Sequence, residues 1–321
     1  YNVMRILNRA LFALLAAVLM IVTPPAFADT LKVAIVMPGN ITDKSWNQAG
    51  YEGLMRAKKE HGVEVAYSEK VAQPDQAEAM ADYARRGYGI VIGHGGEFQA
   101  AADRVAGRYP ETIFIVNNGT TPNGENLATA DFNYKQFGYI MGYIAGKMSK
   151  SGKIGYIGAQ KIKFATDLVD SYTAGFKAVR SDGEVLVAWT NEWDDIAKGK
   201  EAALNQISSG ADVIFPTMDN AAIGSLQAAR EKKLWGFGLY YDALPDWPDT
   251  VLQSAIFDIR SAMVSYIGKA KAEGLKGENY NFNLNTPEGA RIGSFHPSVP
   301  KSVQDEVMAL VTKMKSGEFM P

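Results

Sequence analysis

The chain has 321 residues, a net charge of −2 from 33 basic and 35 acidic side chains, three histidines and no cysteine. Without cysteine there are no disulfides, thiolate metal sites, cysteine nucleophiles or lipid-bearing N-terminal cysteine. The balanced charge, with no basic block, argues against nucleic acid as a partner.

Arg5 and Arg9 follow Met4, the run from Ala10 to Val22 is almost wholly apolar, and Pro24 and Pro25 break it before Ala26-Phe27-Ala28. A basic start, a short apolar core and a small-x-small site are the pattern of a secretory signal peptide. Residues 1–28 are therefore expected to be removed, leaving Asp29 as the first mature residue. The apolar run is short for a membrane span, and no second one follows. The mature chain is expected to be free in an exported aqueous compartment, most simply a bacterial periplasm, with no membrane insertion. Residues 29–321 are long for one hydrophobic core and suit two domains.

Leu31 to Met37 is an apolar, β-branched run of strand length, broken by Pro38, Gly39 and Asn40. Asp43 or Ser45 can cap the helix that follows to about His61, and Ser45 with Gln48 fits a capping box. Gly62 is placed to stop it. In an open α/β sheet, ligands sit outside the carboxyl ends of the strands, so Trp46 and Asn47 fall at a crest where ligand is expected. Trp46 also shares a helical face with Gly50, Gly53 and Ala57, so spacing alone fits a core stripe equally well.

Strand and helix patterns then alternate: strands at about 63–67, 89–93, 112–116 and 127–131, helices at about 75–86 and 98–109. The pattern restarts at a helix from Tyr134 to Lys147. Its Gly138, Gly142 and Gly146 form a small-residue ridge suited to close helix packing. Strands follow at about 153–157, 185–189, 213–216, 235–240 and 251–257, interleaved with helices to about Glu273. Alternation of this kind predicts an α/β chain with parallel sheets in two similar, doubly wound halves. No Pro- or Ser-rich linker separates them, so the hinge is expected to be short crossovers. The first lobe is predicted as 29–133 plus about 254–288, the second as 134–253 plus about 289–321.

Enzyme patterns are poor. His61, His94 and His296 lack metal spacing, and the chain has no nucleophile elbow, Walker loop or dinucleotide fingerprint. No cofactor is expected. Cleft candidates are easier to find. His94 and Gly95 end a buried strand. Trp193 precedes Asp194 and Asp195, either of which can cap a helix. Asp219 stands at a strand-to-helix turn, as cap or ligand contact; Tyr240 and Asp242 close another strand; Asp131 lies at the crossover between halves.

From Leu31 to Pro321 the chain resembles the basic membrane protein family. Asp43-Lys44-Ser45-Trp46-Asn47-Gln48 is similar to that family's Asp-Lys-Ser-Phe-Asn-Gln signature, with Trp for Phe, and Asp194 to Lys200 resembles its Asp-Pro-x-x-Gly-Lys turn. Weaker matches are Gly93 to Phe98 and Lys315 to Glu318. The resemblance implies a type I periplasmic-binding-protein fold whose two lobes close on a purine nucleoside and deliver it to the permease of an ABC transporter. It implies that Trp46 and Trp193 stack on the base and that Asn47 contacts its edge. Met37 and Tyr240 stand where the family carries acids for the sugar, and Ile256 and Phe257 stand where a lysine is usual. A free purine base such as adenine is therefore expected to bind better than its nucleoside, to a monomer. The rival expectations are a sugar or other small polar solute on the same fold, or a periplasmic nucleoside hydrolase.

Overall fold

The computed structural model describes residues 30–321 except Lys44; the expected signal peptide and its cleavage site lie outside the described residues. The first half runs β1 (Lys32–Val36), α1 (Trp46–His61), β2 (Glu64–Ser68), α2 (Gln76–Arg85), β3 (Ile90–His94), α3 (Gln99–Val105), β4 (Ile113–Asn117) and β5 (Leu127–Phe132). The second half runs α4 (Tyr134–Met148), β6 (Lys153–Gly158), α5 (Lys163–Val179), β7 (Glu184–Trp189), α6 (Ile196–Ser208), β8 (Val213–Thr217), α7 (Ala221–Glu231), β9 (Trp235–Leu239) and β10 (Val251–Phe257). The chain then passes through α8 (Ile259–Glu273), β11 (Asn279–Phe282), β12 (Ala290–Ile292) and α9 (Lys301–Ser316).

Two sheets result, in the orders β11-β5-β4-β3-β1-β2 and β12-β10-β9-β8-β6-β7. The pairings are parallel except for β10 with β12. This is the expected pair of doubly wound lobes. Both faces of the first sheet are covered, so its inner strands β1, β3 and β4 are buried on nearly every side chain, whereas the edge strands β2 and β11 keep exposed residues. Val33, Ile35, Ile90 and Ile92 belong to one apolar cluster with Leu54 of α1 and Met263 of α8. The alternate residues Ala34, Val36, Val91 and Phe114 join Met80 of α2 and Ala102 of α3 in another. The glycine ridge of α4 packs as expected: a Cβ at Gly142 would strike the carbonyl of Tyr172 on α5.

The second lobe returns to the first later than about 254. All of β10 through Phe257 is hydrogen-bonded within the second sheet, and only α8 crosses to pack on α1. Three Phe-Asx pairs mark the crossings: Phe132-Asn133, Phe257-Asp258 and Phe282-Asn283. The rings converge, Phe132 lying 5.3 Å from Phe257 and 5.9 Å from Phe282 between centroids. The polar partners start the next segment: Asn133 accepts from Gln136 N and Asp258 from Ser261 N at the starts of α4 and α8. The hinge is therefore an apolar knot from which each departing helix is capped.

Candidate functional site

The carboxyl ends of both sets of parallel strands face one another, as open α/β sheets require of a ligand site. At the first crest, Asp43 caps α1. Its carboxylate accepts from the backbone N–H of Ser45, Asn47 and Gln48 and from Asn47 Nδ2. The Ser45–Gln48 capping box does not form: the Ser45 side chain makes no capping bond, and Asp43 takes its place by accepting from Ser45 N and Gln48 N. Asn47 is engaged within its own lobe, its Oδ1 accepting from Gly39 N at 3.2 Å and its Nδ2 donating to Asp43 at 2.8 Å. Asn47 thereby ties the β1 loop to the cap.

Trp46 belongs to the helical stripe with Gly50 and also lines the cleft. Its indole lies parallel to the His94 imidazole, 4.3 Å between centroids and 8° between planes. Gly50 is required beneath, since a Cβ there would strike the His94 ring. His94 itself is fully buried. Its Nε2 meets Trp46 O at 2.8 Å, its Nδ1 meets Asn117 Nδ2 at 2.9 Å, and Tyr266 OH donates to Asn117 Oδ1 at 3.1 Å. Nδ1 must accept from the amide N–H, so Nε2 carries the proton and the ring is neutral. Burial pushes its pKa down to about 4, against the weaker pull of the Trp46 carbonyl and Asp43. His94 was expected as a ligand contact; complete burial makes it a support for Trp46 instead.

Gly95 follows with φ +139°, and a Cβ there would meet the Glu97 carboxylate. Glu97 stands at the open side of this crest, its carboxyl raised by desolvation. Asp131, at the end of β5, accepts from Asn281 Nδ2 at 2.8 Å, and desolvation raises it as well, with Lys163 of the opposite lobe opposing.

From the second lobe come Asp219 and Tyr240. They line a cleft of about 320 Å³ together with Ser45, Trp46, Phe257 and Arg260. Tyr240 lies 6.4 Å from Trp46 between ring centroids and has φ +74°, a conformation that a bulky residue adopts at some strain. Beside it, Asn220 Nδ2 donates to Asp43 O at 2.9 Å, so the two lobes touch directly at this edge. Burial, and behind it the carboxylates of Asp194 and Asp43, push Asp219 up to about 7, with Ser45 opposing.

Two expected members are elsewhere. The Trp193 ring packs on Phe164 at 5.9 Å and does not line the cavity that holds Trp46. Its carbonyl accepts from Asp219 N and Ala221 N, and so fixes the loop that carries Asp219. Asp242 faces away, accepting from Ser294 Oγ at 2.6 Å and Ser294 N at 3.2 Å; it holds the loop after β12. Sequence reasoning missed Ser45, Phe257 and Arg260 as cleft lining. Ser45 resembled a cap, and Phe257 and Arg260 reach the cleft only because the crossover falls at 257–259. Among the described residues no group of His, Asp and Glu is arranged to hold a metal ion, and no helix is long and apolar enough to cross a membrane.

The chain is 28% identical to the transcriptional activator protein Med of Bacillus subtilis (strain 168), over 90% of both chains. It is also 28% identical to a purine-binding protein of Brucella abortus (strain 2308), over 91% of this chain and 83% of that one. Its fold matches the crystal structure of an ABC transporter solute-binding protein from Aeropyrum pernix K1 with a TM-score of 0.78, at 19% identity, over 90% of this chain and 92% of that one. The sequence model for PnrA-like substrate-binding proteins of ABC transporters matches residues 30–317, and the chain belongs to that family.

Proposed function

We propose that this protein binds a free purine base, adenine or a close relative, in the cleft between its lobes and delivers it to an ABC transporter permease from an exported compartment. The observation that carries the reading is the Trp46 indole, held flat by His94 at a cavity of about 320 Å³ that also presents the Asp219 carboxyl. A rigid π-face beside a polar group suits a flat heterocycle with polar edges. The family membership and the purine-binding relative of Brucella abortus support the same class of ligand.

Preference for the base over its nucleoside is supported by the residues near the expected sugar position. Tyr240 and Phe257 line the cleft, and Met37 is fully buried, so none of these positions offers an acid to the ribose hydroxyls. A buried hydroxyl left without a partner loses about 1–3 kcal/mol. Asp131, across from Lys163, remains as an acceptor for a ring or exocyclic N–H. In this reading the lobes close because the ligand touches both of them, and the protein performs no reaction on it.

Native mass spectrometry tests this reading. The protein is mixed with equal amounts of adenine, adenosine, ribose and glucose, and the adduct that survives is weighed. An adenine adduct is expected; an adduct with a sugar alone contradicts the reading.

A further inference from the structure

Asp219 is an unusual group to find in a base-binding cleft. It lines the cavity beside Trp46 and Tyr240, and among the described residues it is in no ion pair. Among the described residues the groups that act on it are acidic or neutral: Asp43 and Ser45 before α1, Asp194 before α6, and Tyr240 at the end of β9. The cation that shares the cavity wall is Arg260, and its Nε is paired with Glu52 at 2.5 Å. Ser45 stands against Asp219 and opposes the rise in its pKa, and Trp193 O fixes its backbone N–H. Among the described residues the carboxyl is therefore held in place without a counter-charge.

We propose that Asp219 meets the ligand as a neutral carboxylic acid, donating one hydrogen bond and accepting another, and so selects a donor–acceptor edge such as the amidine edge of a 6-aminopurine. The inference rests on the purine reading above and specifies the chemistry by which that site reads the base. A carboxylic acid offers one O–H and one C=O in a fork, and adenine offers an exocyclic N–H beside a ring nitrogen, so two parallel hydrogen bonds form. A carboxylate offers two acceptors and leaves the adenine ring nitrogen facing negative charge. It suits instead an edge with two adjacent N–H donors, as in a 2-amino-6-oxopurine. Titration near neutrality, driven by burial and by Asp194 and Asp43, keeps the acid form populated at ordinary pH.

Calorimetry of adenine binding from about pH 6 to about pH 8.5 tests the inference, on the wild type, Asp219→Asn and Asp219→Ala. A proton required for binding makes wild-type affinity fall toward about tenfold per pH unit above the titration of Asp219. Asp219→Asn keeps one donor and one acceptor at every pH, so it is expected to bind like the wild type near pH 6 and to lose the pH dependence. Asp219→Ala is expected to bind about tenfold or more weakly throughout. Wild-type affinity that is flat or rises with pH, or an Asn variant that follows the wild-type curve, overturns the protonation role and leaves the purine reading standing. Absence of adenine binding to the wild type at every pH contradicts the purine reading, and this inference with it.

Discussion

The Trp46 indole and the His94 imidazole stack in parallel at 4.3 Å, and each donates a ring N–H to the other's backbone carbonyl. This reciprocal pair joins α1 to the end of β3. Through Asn117 and Tyr266 it also reaches α8, the helix that returns from the second lobe. The orientation of the cleft-wall indole is thus set by a buried, fully partnered network, which holds geometry more firmly than packing alone.

Replacing His94 by alanine removes the stack, leaves Trp46 O and Asn117 Nδ2 without their partner and opens space in a buried site. A loss of about 2–4 kcal/mol is expected from urea unfolding. Trp46 emission should shift as the indole is released, which Trp46→Phe in the same background would abolish. An unchanged midpoint and spectrum would show that His94 is dispensable to the wall.

Stability should respond to pH through two opposed groups. His94 has its folded pKa depressed to about 4 from an ordinary value near 6.5. Between these values the unfolded chain binds the extra proton, so stability is present above about pH 6.5 and is lost as pH falls, at about 1.4 kcal/mol per unit. Asp219 has its folded pKa raised to about 7 from 3.8. There the folded chain keeps the proton longer, so the stabilisation is full below the lower value and is lost as pH rises toward the upper one. The two slopes oppose one another from about pH 4 to about pH 6.5. Asp219→Asn should therefore show a rise in stability with pH across that window that the wild type lacks, and should exceed the wild type at about pH 8. Parallel curves for the two proteins in urea unfolding would contradict this account.

The fold was legible because its signals are local. Alternating apolar runs and capped helices give the strand order its raw material, and Phe132-Asn133, Phe257-Asp258 and Phe282-Asn283 each sit where the chain changes lobe. The strand at 251–257 was read as such, but the crossing was placed a few residues early within it, because the sheet a strand joins depends on its pairing with β9 and β12 and not on its own residues. The site was legible as a list of crest residues, but not as a set of contacts. Trp46, Asp219 and Tyr240 line one cavity, whereas Asn47, Trp193 and Asp242 have partners within their own lobes. Which way a crest side chain turns depends on partners far away in sequence: Ser294 for Asp242, and Asn117 with Tyr266 for His94.

Tyr240 should govern the room left for a sugar. Its φ of +74° is one that Asp and Gly adopt more easily than Tyr, so Tyr240→Asp is expected to fold. With the ring gone and an acceptor in its place, adenosine affinity should rise relative to adenine by about tenfold. Calorimetry on the variant reads this ratio. An unchanged ratio would remove Tyr240 from the specificity argument.

The aromatic knot at the crossings should carry the folding of both lobes together. Phe257 packs on Phe132, Tyr134 and Phe137 at 4.7–5.3 Å between centroids. Phe257→Ala should cost about 3–5 kcal/mol, with a single unfolding transition becoming two as the lobes uncouple. A small loss with one sharp transition in calorimetric unfolding would place the coupling elsewhere.

The most direct test of the central claim is calorimetric titration of the purified protein with adenine and adenosine under identical conditions. The account predicts that adenine binds more tightly, with the loss on Trp46→Ala amounting to about 1–3 kcal/mol. Equal or tighter binding of adenosine, or adenine binding that survives Trp46→Ala undiminished, would contradict it.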